Sequence, residues 1–181
     1  MTTDQLLRTR RTVHNFEPRK VDLAIVREAV DSARWAPNHK LTEPWEFVLI
    51  GGETAAAISE RNAEMLRETK GEARAAHKLA RWRAIPNWML LTCRRSDDAF
   101  REQEDYAACC CAAQNFMLSL WARGIGSKWG TGPVTRDSEF FKLVGINPAE
   151  QFVVGLFFFG YPADEPRSVR KPLGDVLRSL P

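Results

Sequence analysis

Four short stretches of the chain combine residue types able to hold an anion or a flat ring. RTRRT, at positions 8–12, places Arg10, Arg11 and Thr12 at the end of a helical pattern. A guanidinium is planar and always charged, and it grips a phosphate through parallel hydrogen bonds. Arginines in a last helical turn also complement the helix dipole, so this stretch alone leaves both readings open. In APNHKLTEPWEF, at positions 36–47, Asn38, His39 and Lys40 lie between Pro37 and Pro44. The prolines stiffen the connection, which is either a tight turn anchored by Trp45 or a rigid edge that presents polar groups to a ligand.

SKWGTGPV, at positions 127–134, sets Gly130 and Gly132 around Thr131, after Trp129. It reads as a turn or as backbone able to approach a flat ligand where a side chain would block it. Trp129 itself reads as core or as a neighbour of that ligand. RSVRKP, at positions 167–172, reads as a solvated charged tail, unless Arg170 meets the N-terminal arginines. A phosphate needs converging cations, and stretches distant in sequence can supply them.

Other chemistries lack their motifs. GIGSKWG at 124–130 is one residue too long for a dinucleotide fingerprint, and it follows a helix rather than a strand. There is no phosphate-cradling GxxxxGK[ST] loop and no HExxH. His14, His39 and His77 are too far apart in sequence to suggest a metal site, and no nucleophile elbow is present. No side chain is nominated as a catalytic acid or base.

The elements that must position these stretches follow from periodicity. Thr2 or Thr3 caps a short helix carrying Leu6 and Leu7, and Asp22 caps a second with Leu23, Val26, Val30 and Ala33 at helical spacing. That helix stops before Pro37. WEFVLIGG reads as a strand closed by glycines, residues 53–83 as helical, and NWMLLTCR as a strand central in a sheet, being apolar on both faces. Residues 103–123 read as a helix apolar nearly all round, hence buried on most sides, with one face available to another subunit and Gly124 as its cap. Thr135 or Asp137 opens a small helix, and FVVGLFFFGYP is a third strong strand. Together they predict one α+β domain spanning residues 1–181, three layers deep, with a mixed central sheet flanked by helices.

Composition sets outer bounds. With 44% hydrophobic and 27% charged residues, the chain falls among soluble globular proteins. Its 26 basic and 23 acidic residues leave a net charge of +3, too even to imply nucleic-acid binding. The cysteines, Cys93 and the run Cys109, Cys110 and Cys111, contain no CxxC and read as reduced thiols in a cytoplasmic protein. No stretch is apolar enough for a signal core or a membrane span.

Taken in register, the early RRT, then APNHKLTEPWEFVLI, then a buried helix ending in GIGSKWGTGP, then VVGLFFFGYP and a terminal RKPL resemble the nitroreductase family of flavin enzymes, and its small, minimal members in particular. The resemblance implies FMN bound at the interface of an intertwined homodimer, with NAD(P)H as electron donor and a nitroaromatic, quinone or enone as acceptor. It assigns Arg10, Arg11 and Thr12 to the phosphate and ribityl chain, and Trp129, Gly130 and Thr131 to the segment along the isoalloxazine. Pro37, Asn38 and His39 become the loop offered by the partner subunit, and Arg170 a terminal phosphate-binding cation. The lysines and arginines of 70–83 are candidates for the cation that stabilises the reduced ring. Trp35 stands where some minimal relatives place an arginine. Rival readings are a flavin store or sensor, an oxygen-using flavin enzyme that breaks down a bound molecule, and a basic nucleic-acid module, which the scattered charge disfavours.

Overall fold

The computed structural model describes residues 1–180. Helix α1 (Thr3–Thr9) is closed at its start by a capping box, in which Thr2 accepts from the Gln5 backbone while the Gln5 side chain accepts from that of Thr2. Asp22 caps α2 (Leu23–Ala33) by accepting from the Ala24 N–H at 2.8 Å. A single 3-10 turn, His39–Leu41, leads into β1 (Trp45–Ile50). The expected helical stretch divides into α3 (Gly52–Lys70) and α4 (Glu72–Arg83), because Gly71 adopts φ +81° and turns the chain between them. There follow β2 (Asn87–Arg94), α5 (Ala99–Trp121), β3 (Gly126–Gly130), a 3-10 turn Pro133–Arg136, α6 (Ser138–Val144), β4 (Gln151–Gly160) and a last 3-10 turn, Leu173–Asp175.

The strands lie in the order β1-β2-β4-β3, and all three ladders are antiparallel. The mixture expected of the sheet is confined to one isolated parallel bridge, Thr12 to Ser127, where the N-terminal segment runs beside β3. Strand alternation divides the core into two apolar clusters. Met89, Leu91, Phe157 and Phe159 face α2 and α5 on one side, where Ala29, Ala33, Ala112, Ala113 and Phe116 meet them. Trp88, Leu90, Leu156 and Phe158 face the other side, with Ile58 of α3, Trp82 of α4 and Phe140 of α6. The result is the three-layer arrangement with β2 inside the sheet.

Helix α5 starts four residues earlier than its apolar pattern, because Asp98 accepts from the Phe100 and Arg101 N–H groups. It buries one face only. Phe100, Tyr106 and Cys111 remain exposed in the single chain, so burial on most sides is not reached within one copy. All four cysteines are free thiols. Among the described residues no helix is long and apolar enough to cross a membrane, and no three His, Cys, Asp or Glu side chains gather as a metal would require.

Candidate functional site

The N-terminal arginines are delivered to the sheet edge by a short run of backbone contacts. The Arg10 N–H closes α1 on the Leu6 carbonyl at 3.0 Å, and the Val13 N–H donates to the Ser127 carbonyl at 3.0 Å. This close approach needs Gly126, where a Cβ would stand 2.3 Å from the Val13 side chain. Arg11 is held by donating to the Arg8 and Arg10 carbonyls at 2.7 and 2.8 Å. From the other end of the chain Arg170 arrives, donating to Ser168 and to the Val169 carbonyl. Arg10, Arg11, Thr12, His14, Ser168 and Arg170 line one cavity of about 280 Å³.

That convergence is electrostatically incomplete. Burial pushes the Arg10 guanidinium below its ordinary value, and the nearby Arg170 and Arg11 push it further. Among the described residues no carboxylate pairs with Arg10, Arg11 or Arg170. With Arg167, which lines the same cavity, four guanidiniums with donors to spare suit a dianion such as a phosphate monoester.

A second cationic group lies beside the first. Lys128 of β3 is paired in register with Phe158, and Phe158 packs 5.2 Å from the Trp82 ring of α4. Lys78, one turn before Trp82, sets its ammonium 5.2 Å above the same indole. Lys78 and Lys128 are both half-buried, and both titrate below the ordinary lysine value. Burial is the main cause, with Arg81 added for Lys78 and with Lys78 and Arg81 added for Lys128. His14 is lowered as well, by burial and then by Lys128, Arg81 and Lys78, while Asp164 pulls the other way. Lys78 and Arg81 fall inside the 70–83 range expected to hold the cation. Lys128 and His14 lie outside that range. The signal for Lys128 was strand alternation: once Trp129 points to one face, its neighbour must point to the other.

Trp129 points into the core. Its indole lies 5.3 Å from the Phe157 ring, and its Nε1–H donates to the Val154 carbonyl at 3.0 Å. What Trp129 has left to offer a ligand is its backbone, followed by the half-buried Gly130 and the exposed Thr131.

The loop carrying Pro37, Asn38 and His39 is firmly built and stands elsewhere. The Asn38 carboxamide donates to Thr42 at 3.0 Å and accepts from the Glu43 N–H at 2.7 Å. His39 Nδ1 meets Glu104 at 2.9 Å, and Thr42 donates to Asp105. These bonds hold Lys40, Leu41 and Glu43 at φ values of 60°, 50° and 43°, a region non-glycine residues rarely occupy. Glu104 lies near the start of α5, whereas Trp121 at its end donates to Thr9 beside the arginines at 3.0 Å. Seventeen residues at 1.5 Å each separate those ends by about 26 Å. One copy thus brings Arg10, Arg11, Thr12 and Arg170 together and keeps Pro37, Asn38 and His39 apart from them.

The model of the Nitroreductase family matches residues 7–161. The chain belongs to the nitroreductase family. A protein of Bacillus subtilis (strain 168) with the provisional name NAD(P)H nitroreductase YfhC is 28% identical over 179 residues, covering 94% of this chain and 90% of that one. A solved nitroreductase-like family protein from Bacillus cereus superposes with a TM-score of 0.86 at 27% identity, over 99% of this nitroreductase-family chain and 96% of the other. The nitroreductase NfnB from a sphigopyxis strain, described as FMN- and NADPH-dependent, shares the fold at a TM-score of 0.82, 19% identity and 99% coverage of both chains.

Proposed function

We propose that this nitroreductase-family protein is an FMN-dependent oxidoreductase, which takes electrons from NAD(P)H and passes them to a small organic acceptor such as a nitroaromatic, quinone or enone. The observation that carries the reading is the convergence of Arg10, Arg11 and Arg170 with no carboxylate among them. When bound, FMN supplies the redox chemistry, accepting a hydride equivalent from the nicotinamide and giving it up to the acceptor.

The chain supplies grip, position and field. Arg10, Arg11 and Arg170 hold the phosphate, and the Thr12 hydroxyl serves the ribityl chain. The backbone of Trp129 and Gly130 with the Thr131 hydroxyl borders the ring. Lys78, Arg81 and Lys128 offer positive charge where negative charge grows on reduction, and fixed charges in a partly desolvated site need no reorganisation to do so. The rigid 37–39 edge comes from a second copy of the chain, because about 26 Å of helix keeps each copy's own edge away from its own arginines. The exposed Trp35, Leu41, Phe100 and Tyr106 are apolar surface of the kind a homodimer covers.

One face serves donor and acceptor in turn, so steady-state kinetics are ping-pong. The direct test is an absorbance scan of purified protein followed by anaerobic NADPH. A yellow protein that bleaches, and recovers on adding a quinone, is the expected result. A colourless protein that ignores added FMN would overturn the reading.

A further inference from the structure

The anion cavity adjoins a larger one. Arg11, Pro166, Arg167 and Ser168 line both, and the second cavity holds about 870 Å³, within the range of small-molecule sites. Its remaining walls are Thr9, Trp121 and the segment that follows β4. Those walls are fixed. The half-buried Trp121 indole donates from Nε1–H to Thr9, whose hydroxyl donates in turn to the Gln5 carbonyl at 2.7 Å. The segment after β4 is tied to the N-terminal strand of chain. The Glu17 N–H donates to the Tyr161 carbonyl at 2.9 Å, the Ala163 N–H to the Asn15 carbonyl at 3.0 Å, and the Asn15 carboxamide to Asp164 at 2.7 Å. Pro162 and Pro166 stiffen the backbone between.

The lining changes in character from one cavity to the next. Arg10, Arg11, Arg167 and Arg170 line the anion cavity, while Arg8 close by is taken by Asp4. Four guanidinium forks exceed what one phosphate monoester can engage edge to edge, and two of them, Arg11 and Arg167, also face the larger cavity. There they meet an indole plane and two carboxylates, Asp164 and Glu165. Among the described residues neither Arg167 nor Glu165 forms an ion pair. An aromatic plane for stacking, carboxylates to accept from an exocyclic amine, and cations along one side match a purine nucleotide. Because those cations belong also to the flavin phosphate, the nucleotide that fills both cavities at once is the adenylate half of FAD, joined to its flavin half through a pyrophosphate.

We propose that the cavity between Trp121 and the 162–169 segment is an adenylate subsite, which lets this protein hold FAD as well as FMN. Trp121 stacks on the adenine, and Arg11 and Arg167 bridge the pyrophosphate across the shared wall. The inference rests on the oxidoreductase reading above and adds a second form of its flavin. It involves binding alone and no chemical step.

The test is equilibrium exchange. FMN-loaded protein is dialysed against equimolar FMN and FAD, and the flavin it retains is extracted and resolved by chromatography. The wild type is expected to retain at least as much FAD as FMN. Trp121→Ala removes the stacking plane and should shift the retained pool toward FMN by about tenfold, the size of a base–aromatic stack. Trp121→Phe should keep most of the FAD. Ala163 is exposed and lines the larger cavity but not the anion cavity, so Ala163→Phe should fill the space and shift the pool the same way, with melting temperature and FMN affinity unchanged. A wild type that retains FMN and excludes FAD would overturn the proposal, as would a ratio that neither Trp121→Ala nor Ala163→Phe moves. Exclusion of FAD combined with calorimetric binding of 5′-AMP to the FMN-loaded protein would give the cavity to an adenylate from another source, and would overturn it too. In each of these cases a yellow protein still bleached by NADPH leaves the oxidoreductase reading standing, whereas a protein that takes up neither flavin would end both.

Discussion

The pyrrole edge of the Trp129 indole packs against Gly155, so close that a Cβ on residue 155 would sit 2.0 Å from Trp129 Nε1. One strand gives up a side chain so that its neighbour can bury a large one, and the edge strand β3 is thereby pinned to β4. Gly155→Ala should cost about 1–3 kcal/mol by overpacking, read as a lower urea midpoint. Adding Trp129→Phe should recover part of that loss, making the double variant less unstable than the sum of its parts. Simple addition of the two penalties would show that the contact does not set the packing.

Arg10→Ala removes a phosphate ligand and also relieves crowding among like charges. The variant should keep its circular dichroism spectrum and its FMN-free melting temperature, while its affinity for FMN weakens by about 1.5–3 kcal/mol, the range for a charged hydrogen bond. Fluorescence titration with FMN after dialysis measures this. Wild-type retention would remove Arg10 from the site.

His14 is held below the ordinary imidazole value of 6.5 by burial and by Lys128, Arg81 and Lys78. As pH falls through 6.5, the unfolded chain therefore takes up this proton before the folded chain does. Stability of the FMN-free protein should accordingly decline with falling pH below that point, and His14→Asn should make the decline shallower. Urea midpoints between pH 7.5 and 5.5, in buffer without phosphate, supply the comparison; identical slopes would contradict the assignment.

Asp137 serves two elements at once. It accepts from the Glu139 and Phe140 N–H groups at 3.1 and 3.2 Å to start α6, and from Arg61 of α3 at 2.9 and 2.8 Å. The Arg61 guanidinium is the main reason its carboxyl lies below the usual range. Losing a cap and a charged pair together, Asp137→Ala should cost about 2–3 kcal/mol. Asp137→Asn should keep the cap and lose less, and a midpoint equal to that of the alanine variant would assign the whole effect to the ion pair.

Much of the fold is legible in local chemistry. Thr2 and Asp22 mark their helix starts, the double-sided NWMLLTCR lies inside the sheet, and the arginine pair at 10–11 meets Arg170. What escapes is set by long-range geometry. Strand direction depends on how the connections cross the sheet, and hydropathy does not record that, so the ladders are antiparallel where a mixture was expected. The break at Gly71 hides among good helix formers. Lys128 sits next to a conspicuous tryptophan and acquires meaning only once Lys78 and Arg81 stand opposite it.

The length of α5 has a consequence for inheritance of defects. If arginines and edge meet only across two copies, a chain damaged at Arg10 and a chain damaged at His39 each build impaired centres only. Refolded together, they form hybrids in which one of the two centres draws both of its parts from undamaged sequence. At subsaturating FMN, mixing the two impaired variants should then raise turnover above that of either alone, while mixing two variants damaged at the same end should not.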